Sequence, residues 1–149
     1  MDRDSRQPDK TDWHIIDLVR SGVVSNSAIA AELGLSEGTV RQRIKRMKES
    51  GVLAFRGLID PDVLTNRQLT LIGANVAETR LLDAKAEEIS RLPNVLSVSI
   101  ASGRFDLIVE VLVDSNHGLV DFLIEELSGV EGITKTESFL LLRSYSKFV

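Results

Sequence analysis

The sequence predicts an α+β chain: three short helices in the N-terminal third, then a βαββαβ unit. Three observations carry that expectation. Apolar residues recur at helical spacing in three segments between Thr11 and Ser50, each closed by a glycine. From Leu69 onward the pattern changes to apolar, strand-like runs. Two further helical segments separate those runs, one before Pro93-Asn94 and one before Gly129.

The first helix is expected over residues 11–20, capped by Thr11 or Asp12, with Ile15, Leu18 and Val19 forming one apolar stripe before Ser21-Gly22 ends it. The second runs from about Asn26 to Leu33, with Ser25 as cap and Ile29, Ala30 and Leu33 inward. Gly34 stops it, because a tight exit favours a left-handed residue, and Leu35 tucks in. Ser36 caps the third helix and Glu37 suits its positive end; the helix continues to about Ser50, with Gly51 as stop. Val40, Ile44 and Met47 share its apolar face. At about 100° per residue, Gln42, Lys45, Arg46 and Glu49 fall opposite, with Thr39 and Arg41 on the flanks. Two helices joined by the short Gly34-Leu35-Ser36 turn make a helix-turn-helix.

Residues 52–60 read as an extended, apolar segment ended by Pro61, which suggests a covered linker such as a swapped strand at a dimer interface. Strands are then expected from Leu69, over Val95–Ala101, over Asp106–Val113 and over Ile133–Leu142 or as far as Tyr145. The intervening helices span Leu82–Leu92, with Leu82, Ala86, Ile89 and Leu92 inward, and Asn116–Ser128, with Leu119, Phe122, Leu123 and Leu127 inward. The order βαββαβ is ferredoxin-like. Its helices cover one face of the sheet, so face-to-face dimerisation is a natural cover for the other. The expected organisation is a flexible arm (1–10), a helix-turn-helix domain (11–51), a linker and dimerisation segment (52–68) and a ferredoxin-like domain (69–149).

Composition narrows the function. Of 149 residues, 43% are hydrophobic and 27% charged, as in a folded globule. With no cysteine, disulfides, thiolate metal sites and thiol catalysis are excluded, and two distant histidines, His14 and His117, make a histidine metal site improbable. The polar start MDRDSRQPDK lacks the apolar core of a signal peptide, and the most apolar run, LIVEVLV, is short and holds Glu110. A cytoplasmic protein without membrane association is expected. The net charge of −4 hides an asymmetry. Residues 1–60 carry ten Lys/Arg against nine Asp/Glu, and the rest carry eight against thirteen. Residues 41–48 hold five cations and no anion. Phosphate attraction follows local cation density. Taken alone such a run is a solvated helix face; within a capped helix-turn-helix it points to double-stranded DNA.

The run SNSAIAAELGLSEGTVRQRIKRMKESGVL, followed by a βαββαβ domain with ASGRFDLIVEV between its second and third strands, resembles the Lrp/AsnC (feast/famine) transcriptional regulators, whose C-terminal module is called RAM-type. The resemblance spans about Lys10 to the C-terminus, and its most specific parts are the recognition-helix run and the Gly-x-x-Asp of Gly103 and Asp106. It implies a dimer assembling to an octamer, DNA binding through the third helix, and an amino acid effector held by the C-terminal domains at an interface between dimers. Carried over, the effector residues are Ser102, Gly103, Arg104 and Asp106 in the loop and Thr134, Thr136, Ser138 and Leu140 on the last strand. Asp106 suits an α-ammonium or caps its own turn, and the two roles are compatible. Thr136 and Ser138 lend direction to a ligand or are ordinary strand residues. Arg104 pairs with an effector carboxylate or faces solvent.

For DNA the candidates are Ser36, Thr39, Arg41, Gln42, Lys45 and Arg46. Ser36 and the helix N-terminal amides suit phosphate, whereas Gln42 and Arg46 match adenine and guanine edges. Arg43, beside the apolar stripe, suits a pairing within the domain, and Arg3, Arg6 and Lys10 either contact DNA or belong to the arm. Two units in a dimer imply half-sites about 34 Å apart or a multiple of it. No catalytic residue, metal or cofactor is expected. Two other functions compete. A siroheme-decarboxylase-like enzyme shares the layout, but Arg67, Arg80, Arg91, Arg104 and Arg143 are scattered and His117 near a helix start suits a solvated or capping role. A sensor that does not bind DNA would leave five cations idle.

Overall fold

The computed structural model describes residues 7–149, so Arg3 and Arg6 lie outside the described residues. The chain divides into two compact units after Gly57.

The first unit consists of α1 (Lys10–Arg20), α2 (Asn26–Leu33) and α3 (Glu37–Glu49). Helix α1 begins one residue earlier than the sequence reading expected, and its cap is Asp9 rather than Thr11 or Asp12. Asp9 Oδ1 accepts from the Asp12 amide at 2.8 Å, and the Asp9 amide donates to Asp12 Oδ2 at 3.1 Å. This reciprocal pair leaves neither amide orphaned at the helix start. The core also shifts by one residue: Ile15 and Ile16 are buried, while Leu18 and Val19 only pack against its edge. Ile29, Ala30, Val40 and Met47 complete it, with Leu33, Leu35 and Ile44 at its margin. Gly34 closes α2 with φ of +64°, and Leu35 N–H then bonds to Ala30 O at 2.9 Å. That left-handed residue turns the chain within three positions so that α3 leaves at an angle to α2. Ser36 caps α3 through the Thr39 amide at 3.1 Å.

Residues 52–60 form no strand. Val52 and Leu53 pack on the three-helix core, but Phe55, Leu58 and Ile59 stay exposed. Ile59 exchanges two main-chain hydrogen bonds with Val149, both 3.0 Å, too short a pairing to make a ladder.

The second unit is a four-stranded antiparallel sheet in the order β2-β3-β1-β4, from β1 (Arg67–Val76), β2 (Val95–Ile100), β3 (Leu107–Asp114) and β4 (Ile133–Leu140). This is the ferredoxin-like arrangement. The last strand stops at Leu140, short of the expected Leu142. Ile72, Ala74 and Val76 of β1 and Leu107, Val109, Val111 and Val113 of β3 face the helices, as period-two alternation dictates, and meet Ile89, Phe122, Leu127 and Val130. Helix α4 (Leu82–Ile89) follows a 3-10 turn at Thr79–Leu81.

The expected helix over residues 116–128 is not uniform. A short α5 (Gly118–Asp121) passes into a wide π turn (Phe122–Glu126) and a 3-10 turn (Leu127–Gly129). Phe122 and Leu127, five residues apart, would diverge by about 140° on an α-helix. The widened turn carries both into the core, where each is almost fully buried.

On the helix-free face, Phe105 lies flat against Gly73. A Cβ at Gly73 would sit 2.4 Å from Phe105 Cδ2. Phe105 in turn meets Phe139 edge-on, with centroids 6.3 Å apart and planes at 74°. Substituting Gly73→Ala therefore overpacks the sheet. We expect it to destabilise the second unit by about 1–3 kcal/mol in chemical denaturation, with Gly73→Ala/Phe105→Leu recovering part of the loss.

Candidate nucleic-acid interface and effector region

On α3, Thr39, Gln42, Arg43, Lys45, Arg46 and Glu49 line one shallow concavity of about 490 Å³. The apolar stripe Val40, Ile44 and Met47 packs inward, so helical periodicity alone turns this polar set outward. Gln42 and Arg41 are exposed, and Arg41 pairs with Glu37 one turn back at 2.9 Å. Lys45 lies 3.8 Å from Glu49. Such solvated pairs are weakly held, so both cations exchange partners readily. The Ser36 hydroxyl is already engaged with the Thr39 amide and the Thr39 hydroxyl, the latter at 2.8 Å. The structure thus brings the six sequence-derived DNA candidates onto one helix and its cap.

Arg43 and Arg46 are held differently. Arg43 Nη1 donates to Asp9 Oδ2 at 2.6 Å and to Asp12 Oδ1 at 2.8 Å. Arg46 Nη2 donates to Asp12 Oδ2 at 2.5 Å, although its side chain remains 62% exposed. The Asp12 side chain is only 1% exposed. The Arg43 guanidinium and the Asp12 amide hold the Asp9 carboxyl below the usual carboxylate range, and the two carboxylates raise Arg43 further. Sequence reading expected an internal partner for Arg43 and an unencumbered Arg46; the structure gives both an internal partner. It also missed Asp9 and Asp12. Their signal was present: each pair has i, i+3 spacing, so two carboxylates on one helix face match two guanidiniums on another.

In the second unit, Ser102, Gly103 and Arg104 are exposed in the β2–β3 connection. Asp106 Oδ2 accepts from the Val76 amide at 2.9 Å, tying the loop to the end of β1. Arg104 Nη2 pairs with Glu137 Oε2 at 2.8 Å and its guanidinium lies 5.3 Å from the Phe105 ring centroid. Thr134 and Thr136 line a cleft of about 200 Å³ with Leu123, Leu127, Ser128 and Lys135. Thr136, Ser138 and Leu140 stand opposite Ala74, Ile72 and Thr70, on the helix-covered face. Glu137 stands opposite Gly73 on the other face. The eight effector candidates therefore fall into two groups, and the structure does not join them in one pocket. Glu137 was missed because its value comes from a cross-sheet neighbour that local spacing cannot reveal.

Arg80 pairs with Glu78 and Arg91 with Glu87, on separate elements, and His117 is exposed at the start of α5 without a capping bond. Among the described residues no group of three or more His, Asp or Glu is placed to hold a metal ion, and no helix is long and apolar enough to cross a membrane.

Two family models match the chain. One, described as winged helix-turn-helix DNA-binding, covers residues 8–54; the other, described as Lrp/AsnC ligand binding domain, covers residues 70–148. An uncharacterised HTH-type transcriptional regulator of Pyrococcus furiosus is 34% identical over 125 residues, spanning 83% of this chain and 84% of that one. The HTH-type transcriptional regulator FL11 of the same organism is 27% identical over 141 residues, spanning 93% and 92%. Among solved structures, a transcriptional regulator of Neisseria meningitidis in complex with L-methionine superposes with a TM-score of 0.67 at 19% identity, covering 95% of this chain and 94% of that one.

The Asp9–Asp12–Arg43–Arg46 cluster sets an expectation for stability. Asp12→Ala strips both guanidiniums of a buried acceptor and costs about 1–3 kcal/mol, whereas the exposed Arg41→Ala stays within about 0.5 kcal/mol. Because the folded-state pKa of Asp9 is depressed, its contribution is present above the ordinary carboxylate range and is lost as pH falls through the lowered value. Thermal melts of the first unit at decreasing pH check this: Asp9→Asn flattens the acid limb.

Proposed function

Since the chain belongs to the Lrp/AsnC family of DNA-binding transcriptional regulators, we propose that α3 reads a specific duplex site under control of an amino acid effector held by the C-terminal unit. The observation that carries this reading is the outward face of α3, where Gln42, Lys45 and Arg46 line one open concavity above an apolar back and exposed Arg41 stands on its flank. Phosphate contacts fall to Ser36, Thr39 and Arg41 near the helix start and to Lys45 further along, and base edges to Gln42 and Arg46. The relatives are named transcriptional regulators, which fits regulation and not catalysis.

The effector part of the proposal rests on the matched ligand-binding domain and on the L-methionine complex of the Neisseria relative. A carboxylate and an α-ammonium need complementary charges at close range. Arg104 and Asp106 supply them from the loop, where Ser102 adds a hydroxyl and Gly103 its backbone amide; Thr134, Thr136 and Ser138 supply hydroxyls and Leu140 apolar lining from β4. Because Arg104 meets Glu137 on the face of the sheet opposite Thr136 and Ser138, a site using both Arg104 and these hydroxyls is completed between chains. This accords with a homodimer that assembles further to an octamer. Exposed apolar side chains support the same assembly: Leu142, Tyr145 and Phe148 beyond β4 stay exposed, and Phe139 on β4 is only partly covered, by Phe105.

Selection from random-sequence duplexes by the purified chain tests the DNA part. The selected sites should be near-palindromic, and Arg41→Ala/Lys45→Ala should bind them at least tenfold more weakly. Its salt slope should fall by about one for each phosphate contact removed. Undiminished affinity would overturn the assignment of α3.

A thermal-shift screen against the twenty amino acids tests the effector part. A ligand at a hundredfold its Kd adds about 2.7 kcal/mol of stability, so a true effector, L-methionine being the first to try, raises Tm in a concentration-dependent way. A Tm unmoved by all twenty at millimolar concentration would remove the amino acid from the proposal.

A further inference from the structure

Arg46 belongs to two environments at once. It lines the open concavity of α3 with Thr39, Gln42 and Lys45, and it also lines a smaller depression with Asp9, Asp12, Met47, Ser50 and Val52. Its Nη2 is fixed by Asp12 Oδ2, yet the side chain remains largely exposed. A long arginine that is free in solution must lose its rotamer freedom on binding; one held at a single nitrogen has already lost much of it. A guanidinium also has more than one donor edge, so anchoring one leaves another free for a planar acceptor pair such as the O6 and N7 of guanine. The anchor is itself well fixed. Asp12 sits in the first turn of α1, is locked by the capping pair with Asp9, and its second oxygen is held by Arg43. Two carboxylates face two guanidiniums, so the cluster adds little net charge towards phosphates.

We propose that Asp12 is a positioning residue for sequence discrimination. By holding one edge of Arg46 it aims the other at base edges, so that selectivity, more than total DNA affinity, depends on a carboxylate that does not touch DNA. The proposal rests on the reading of α3 as the recognition helix. A merely structural Asp12 would weaken all binding alike. A positioning Asp12 lowers specific binding while its removal, which deletes a negative charge, leaves binding to unrelated DNA equal or stronger.

The experiment measures Kd for a duplex selected by the wild-type chain and for a scrambled duplex of the same composition, at one salt concentration. All measurements are made at a temperature where circular dichroism shows each variant folded. Asp12→Asn should reduce the ratio of the two constants roughly tenfold, the scale of one lost bidentate base contact. Its scrambled-duplex Kd should not rise. In an Arg46→Ala background the same substitution should change the ratio no further. Arg46→Lys, which keeps the charge on an exposed side chain but lacks the fork, should lose discrimination to a similar degree and carries the test if Asp12→Asn does not fold. The proposal is overturned if Asp12→Asn or Arg46→Lys keeps the wild-type ratio, or if Asp12→Asn lowers it equally without Arg46. A wild-type chain that selects no sequence, or an Arg41→Ala/Lys45→Ala variant that binds undiminished, instead removes the recognition-helix reading on which the proposal stands.

Discussion

The carboxylate of Asp12 is buried at the start of α1 and accepts from Arg43 and Arg46 of α3, one guanidinium on each oxygen. Removing a charge from water is unfavourable unless partners replace the lost hydration. Here the partners lie on another helix, so the burial of Asp12 is possible only while α1 and α3 keep one mutual arrangement. The apolar contacts of Ile15, Ile29, Val40 and Met47 supply most of the packing, but such contacts tolerate small rotations. Three directional bonds to fixed oxygens do not. The polar cluster therefore sets the rotation of α3 about its axis, and with it which of its side chains project outward.

A second constraint governs the other unit. Four antiparallel strands with helices on one face leave the reverse face to be covered by something else. The chain covers part of it with its own loop: Phe105 folds onto Gly73, Arg104 follows and pairs with Glu137, and Lys147 reaches the half-buried Glu110 at 2.6 Å. What remains is apolar at Phe139, Leu142, Tyr145 and Phe148, all of them exposed. The same alternation that builds the core separates Glu137, the partner of Arg104, from Thr136 and Ser138.

Much of this was legible in the residues themselves. Ser25, Gly34, Ser36 and Gly51 bracket helices because caps and left-handed exits are local requirements that one or two residue types satisfy. The ferredoxin-like class followed from the βαββαβ succession, since un-knotted connections leave few alternatives. Residues 116–128 were misread as one regular helix because the π turn arises from fitting Phe122 and Leu127 into the same core, a demand no local propensity expresses. The cap of α1 was misplaced by a few residues for a related reason. Thr11, Asp12 and Asp9 are all good cap residues, and the choice went to the one whose partner carboxylate is neutralised from α3.

The sequence by itself determined the three N-terminal helices, the four strands, the cationic face of α3 and the family, because periodicity and local charge are properties of neighbours along the chain. Tertiary structure alone decided that Arg46 is anchored, that Asp106 ties the loop to the Val76 amide, and that Arg104 meets Glu137. Each of these joins residues thirty or more positions apart, and their energies depend on distances of a few ångströms that only the folded chain defines.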